Sequence, residues 1–167
     1  MVLSALKARR LGLLAAIFAA FALAACGQGE PPQAQSSVQW PTAIVYKSPT
    51  CSCCKKWVEH LRANGFPVQV REPDDLNTVK DRLGVPADMR SCHTAEIDGY
   101  VIEGHVPAAD VQRLLREKPK ALGLAVPGMP LGSPGMEVDD RRQAYTVWLL
   151  QDDGNQSFTD YPARNLE

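Results

Sequence analysis

"TAIVYKSPTCSCCKKWVEHLRANG", Thr42 to Gly65, is the stretch that decides the fold. Its first part, Thr42 to Lys47, is short and rich in β-branched residues, and polar residues follow it, so it reads as a buried strand. From Cys53 onward the period changes to helical spacing. Cys54, Trp57, Val58 and Leu61 fall on one face, while Lys55, Lys56, Glu59 and Arg62 take the other. Asn64-Gly65 closes that helix. Three cysteines, Cys51, Cys53 and Cys54, stand in four positions at the helix start. Cys51 and Cys54 alone have the spacing of a thiol–disulfide pair, so Cys53 calls for its own reason.

Working outward, "FPVQVRE" predicts a second strand and "PDDLNTVKDRLG" a second helix with Asp at its start and Gly84 as terminator. Leu76, Val79 and Leu83 mark the apolar face of that helix. "TAEIDGYVIEG", Thr94 to Gly104, predicts a hairpin turning at Asp98-Gly99. "VPAADVQRLLREKP" predicts a third helix opening near Pro107 and stopping before Pro119. The order is β-α-β-α-β-β-α, a layered α/β domain with a mixed sheet. Beyond it, Leu122 to Asp140 has no period and many Gly and Pro, so it is expected to be a long loop. "RQAYTVWLLQ" and "NQSFTDY" flank Asp152-Asp153-Gly154 and are expected to add a C-terminal β-hairpin.

The chain has 167 residues and a net charge of −1, which offers nothing to attract nucleic acid. Its start is basic through Lys7, Arg9 and Arg10, followed by an apolar run from Leu11 to Leu23 too short for a convincing permanent span. "LAAC", Leu23 to Cys26, resembles the bacterial lipoprotein cleavage box, which implies that Cys26 carries lipid. An ordinary signal peptide cut after Ala25, or a retained short anchor, is the alternative. Residues 1–25 are thus expected to be a lipoprotein signal peptide. Residues 26–41, rich in Gln, Ser, Gly and Pro, are expected to be a flexible tether, and residues 42–167 the folded domain. Export places that domain in the periplasm, anchored to the membrane through lipid. By analogy with enterobacterial lipoproteins, Gly27 after Cys26, with no Asp there, favours the outer membrane.

"IVYKSPTCSCCKK" is similar to the strand–Cys-x-x-Cys–helix opening of thioredoxins and glutaredoxins, and "EIDGYVIEGHVPAADVQRLL" resembles the glutaredoxin ending. Four motifs in series, "CSCC", "SCHT", "GYVIEGHVP" and "VPGMPLGSPGM", resemble the exported copper-resistance proteins of the CopG type over about residues 42 to 162. The resemblance implies a thioredoxin-like fold, with the long Gly/Pro/Met loop and the hairpin added, whose clustered cysteines bind copper. It also implies a role in periplasmic copper handling beside other copper-handling proteins. Counting back from "EIDG" on the glutaredoxin plan puts His93 at the place of the cis-proline that faces the Cys-x-x-Cys loop, and Cys92 just before it. Cys92 is therefore implied as the fourth sulfur.

Cu(I) is soft and favours thiolate and thioether sulfur. Three cysteines in four residues cannot all turn to one tetrahedral centre without strain, but their sulfurs can bridge neighbouring ions. Bridging is the reason offered for Cys53, and it leads to a metal site of Cys51, Cys53, Cys54 and Cys92 holding several Cu(I) ions. His93 reads as a ligand, a hydrogen-bond donor to a thiolate, or a turn residue. His105, at the start of the third helix, reads as a cap or a ligand, and His60 as a solvated residue. Met129 and Met136 read as thioether ligands or as apolar cover. No catalytic residue is assigned on the metal-binding reading. The rival reading is a thiol–disulfide oxidoreductase with Cys51 as nucleophile and Cys54 as resolving thiol, against which the extra thiols argue. Structural zinc is a third reading, disfavoured because zinc sites use two separated cysteine knuckles.

Overall fold

The computed structural model describes residues 39–164. The expected signal peptide, Cys26 and most of the expected tether lie outside the described residues. The end of the tether stretch is packed: Trp40 stacks on Phe66 at 5.5 Å between ring centroids. No helix among the described residues is long and apolar enough to cross a membrane.

The first seven regular elements run in the expected order. They are β1 (Ala43–Lys47), α1 (Ser52–Ala63), β2 (Val68–Arg71), α2 (Leu76–Arg82), β3 (His93–Ile97), β4 (Tyr100–Gly104) and α3 (Ala108–Glu117). Three further strands follow, β5 (Gly123–Val126), β6 (Tyr145–Leu150) and β7 (Gln156–Tyr161). All seven strands form one mixed sheet in the order β2-β1-β3-β4-β5-β6-β7. β1 pairs with β2 in parallel and β3 pairs antiparallel with both β1 and β4. β5 runs parallel to β4 and antiparallel to β6, and β6 is antiparallel to β7 with a bulge at Val147/Trp148. The β3–β4 turn falls on Asp98 and Gly99, both at positive φ, as a two-residue hairpin turn requires.

Side-chain alternation along the strands sorts the helices onto two faces. Val45, Ala95, Ile97 and Ile102 join Trp57, Val58 and Leu61 of α1 and Val111, Leu114 and Leu115 of α3 in one apolar core. The opposite face carries Thr94 and Glu103, which bond to Lys80 of α2. α1 therefore lies with α3 on one side of the sheet, and α2 on the other.

The stretch from Leu122 to Asp140 is not loop throughout, because its residues Gly123–Val126 form β5 in the middle of the sheet. All four are buried, so the run shows no alternation, and its Gly and Pro surroundings mask it. The irregular connection proper is residues 127–144.

Candidate metal centre

The cysteine-rich turn leaves the end of β1 and enters α1 with Cys51 as its N-cap. The Cys51 sulfur accepts the Cys54 N–H at 3.3 Å. Unpaired amides of a first helical turn point this way, which is where a thiolate is stabilised. Cys51 and Cys54 are joined as a disulfide, while Cys53 and Cys92 are free thiols, both half-buried. Cys54 is fully buried beneath them.

The start of β3 lies beside the end of β1, with His93 opposite Lys47, and this pairing carries Cys92 to the helix start. Cys92 Sγ sits 3.5 Å from Cys54 Sγ and 3.9 Å from Cys53 Sγ, and Cys53 Sγ is 3.4 Å from Cys51 Sγ. All four sulfurs lie within 4.8 Å of one another. Two segments distant in sequence thus meet at one point.

Two histidines close the buried side. His105 Nδ1 lies 2.8 Å from the Pro134 carbonyl, which can only accept, so that nitrogen carries the proton. Nε2 is left with its lone pair 3.1 Å from Cys92 Sγ. His93 Nδ1 is 3.4 Å from the same sulfur, while its Nε2 has no hydrogen-bond partner. Burial pushes both imidazoles below their ordinary range, His93 well below, so both are neutral and hold lone pairs. Cys92 Sγ and one nitrogen from each ring also fall within 4.8 Å of one another.

The 127–144 connection reaches back over the α1 start. Ser133, Pro134 and Gly135 are buried, and a Cβ on Gly135 would stand 2.7 Å from the Cys53 carbonyl oxygen. Met136 and Cys53 line one groove of about 210 Å³ together with Ser52, Lys56 and Glu137. Met129 is 51% exposed, so the structure treats the two methionines differently. His60 departs from its expected solvated role. It is half-buried, and its Nε2 accepts the Ala108 N–H at 3.0 Å, which ties α1 to the first residue of α3.

Sequence reading missed the ion pair between Lys80 and Glu103, both buried. Its signal was present: a glutamate inside the apolar run "GYVIEGHVP" needs a partner if that strand is central.

Burial, with Cys53 nearby, pushes the Cys92 thiol up to about 12. Its thiolate fraction therefore rises about tenfold per pH unit throughout the neutral range. Iodoacetamide labelling of Cys92, read by peptide mass, is expected to climb steadily from pH 7 to pH 10. A plateau below pH 9 would contradict it.

The comparisons with known proteins follow the same line. Residues 89–136, which hold Cys92, both histidines and both loop methionines, match the family model described as "Protein of unknown function, DUF411". No curated protein matches the chain. Two solved structures do: "Copper resistance protein copG", Form 1 and Form 2, each 50% identical with a TM-score of 0.70. The match to Form 1 covers 74% of this chain and 98% of that one, and the match to Form 2 covers 73% and 98%. With half the aligned residues identical over almost the full length of those proteins, the chain belongs to the CopG copper-resistance family.

Proposed function

We propose that this chain is an exported protein that holds Cu(I) in a multinuclear site of Cys51, Cys53, Cys54 and Cys92 and so serves copper resistance. The observation that carries the reading is the meeting of four sulfurs within 4.8 Å from two separate segments. Soft thiolates at that spacing suit Cu(I), and a sulfur shared between ions explains three cysteines in one turn. The Cys51–Cys54 bond takes two of the four sulfurs out of use. An external dithiol reductant would open it by thiol–disulfide exchange, becoming a disulfide itself as it hands over two electrons and two protons to give two thiols, and loading with Cu(I) then releases thiol protons. Neutral His105, with Nε2 turned to Cys92, is the further ligand that the geometry favours. His93 offers Nδ1 in the same place, and Met136 borders the Cys53 side.

The oxidoreductase reading keeps one specific support, the Cys51–Cys54 disulfide with Cys51 the less buried partner. Anaerobic titration of the reduced protein with Cu(I) against a strong chelator, beside an insulin-reduction assay, separates the two. Several ions per chain without reductase activity is expected. Reductase activity with no copper retained would make the chain a redox enzyme. In the same titration, Met129→Leu with Met136→Leu keeps the apolar volume and removes both thioethers. Unchanged stoichiometry and affinity would make the methionines cover.

The same reading includes a thioredoxin-like unit formed by the first seven elements, with β5, β6 and β7 added beside β4. In its favour, β2-β1-β3-β4 has β1 and β2 parallel and β3 antiparallel to its neighbours. It also includes a periplasmic location on a lipid anchor at Cys26, as "LAAC" suggests. Mass spectrometry of the mature N-terminus tests this: a lipidated Cys26 is expected, and an unmodified start elsewhere removes the anchor.

A further inference from the structure

A lysine and a glutamate buried together in a small domain call for an explanation beyond stability. Desolvating two charges cancels most of the gain from pairing them, and apolar residues of similar size often serve a core as well or better. Lys80 is 2% exposed and Glu103 is fully buried, and the pair sits on the α2 face of the sheet. Burial pushes the Glu103 carboxyl up and the Lys80 ammonium down, and the contact between them acts in the opposite sense on both.

The hydrogen bonds indicate what the pair holds. Glu103 Oε1 accepts from Lys80 Nζ and, at 2.7 Å, from the Ser91 N–H. Glu103 Oε2 accepts from Thr94 Oγ1, and Lys80 Nζ also donates to Thr94 Oγ1 at 2.7 Å. The carboxylate therefore bridges α2, β3 and the residue just before Cys92. Ser91 is gripped from two more sides. Its hydroxyl donates to the Gly128 carbonyl of the long connection. Its side chain also lies flat on Gly104, where a Cβ would come 2.6 Å from Ser91 Cβ and 2.5 Å from the Val126 carbonyl oxygen. Cys92 follows at once, its sulfur 3.5 Å from Cys54 Sγ and its carbonyl 3.6 Å from the same atom.

We propose that Glu103, held by Lys80 and Thr94, is the positioning residue of Cys92: by fixing the Ser91 amide it sets how closely the Cys92 sulfur approaches the cysteines of α1. The proposal rests on the reading of Cys92 as a member of the copper site. The carboxylate never touches a sulfur. It acts through two covalently adjacent residues, and the charge partner keeps it from rotating away. A misplacement of about 1 Å can cost about a hundredfold where two groups must meet, so a rigid amide anchor has a functional return that an apolar side chain lacks.

The test measures proximity without metal. In a Cys26→Ser/Cys51→Ser/Cys53→Ser background only Cys54 and Cys92 can pair, and equilibration with reduced and oxidised glutathione reads the effective concentration of one thiol at the other. Glu103→Leu with Lys80→Met removes both charges together and leaves no lone buried ion. With the fold retained by circular dichroism, this pair is expected to lower the effective concentration about tenfold or more. Glu103→Gln with Lys80→Met keeps an oxygen for the Ser91 amide but loses the charge partner, and is expected to fall between the Leu/Met variant and the parent. A folded Leu/Met variant with the parent value overturns the proposal. Should that variant fail to fold, Thr94→Val decides. It frees one carboxylate oxygen at constant size and is expected to give a smaller drop, and a folded Thr94→Val with the parent value overturns the proposal. With all cysteines present, the Leu/Met pair should weaken Cu(I) binding by about 10- to 100-fold, the usual cost of disturbing a group that orients a ligand. A parent chain that binds no Cu(I) would sink the copper reading while the glutathione series still judged the positioning.

Discussion

Cys92→Ser is expected to leave the fold in place and to reduce the number of Cu(I) ions held per chain. The substitution exchanges sulfur for oxygen at nearly constant size, and residue 92 is half-buried, so no large cavity forms. What is lost is the sulfur that lies within 3.9 Å of both Cys53 and Cys54 and 3.1 Å from His105 Nε2. A hydroxyl is a hard donor and a poor bridge for Cu(I). Disturbing a residue that merely orients a ligand costs about 10- to 100-fold in affinity. If Cys92 is a ligand, losing the sulfur that faces both Cys53 and Cys54 should cost more than about 100-fold for the ions it would bridge. Anaerobic titration with a chelator competitor measures both number and affinity. Equal count and equal affinity in the serine variant would refute the two-segment site.

Gly135→Val is expected to lift the long connection off the site. Gly135 has φ +88, a region that β-branched residues scarcely visit. Its added Cβ would stand 2.7 Å from the Cys53 carbonyl oxygen and 3.0 Å from the Trp57 amide nitrogen. Both are α1 backbone, held by the helix and unable to yield, so the connection must move. Backbone strain and overpacking together amount to about 3 kcal/mol, or a fall of roughly 10 °C in Tm for a domain of this size. Movement would also part Pro134 from His105, whose bond fixes the imidazole tautomer at 2.8 Å. Calorimetry together with the labelling rate of Cys53 checks the outcome: lower Tm and faster labelling. A valine variant with wild-type Tm and labelling would leave the connection without this role.

Much of the architecture was legible because it lies in local signals. The face of Trp57, Val58 and Leu61, the Asp98-Gly99 turn and the Pro107 and Pro119 punctuation each fix an element without long-range information. The meeting of Cys92 with the α1 cysteines followed only from a family resemblance, since strand register over that distance is not written in any short pattern. β5 was hidden because burial on both faces removes the alternation that marks a strand. Lys80 was hidden for the opposite reason. Its helix presents Leu76, Val79 and Leu83 as an apolar face, yet all three are only half-buried and the lysine between them is the buried residue. Helical period ranks residues by polarity, and a lysine with a buried carboxylate to meet defeats that ranking. His60 was misjudged in the same way, because its acceptor role depends on where α3 begins.

The sulfurs come from two places on the chain, with β2 and α2 between them. An ion held by both segments closes that stretch into a ring, much as a covalent link between Cys54 and Cys92, 38 residues apart, would. For a ring of that size the disorder removed from the denatured chain is worth about 4 kcal/mol at room temperature. Metal supply would then govern how often the domain opens to degrading proteases. The standing amount of the protein in a cell would rise with ambient copper even at a constant rate of synthesis.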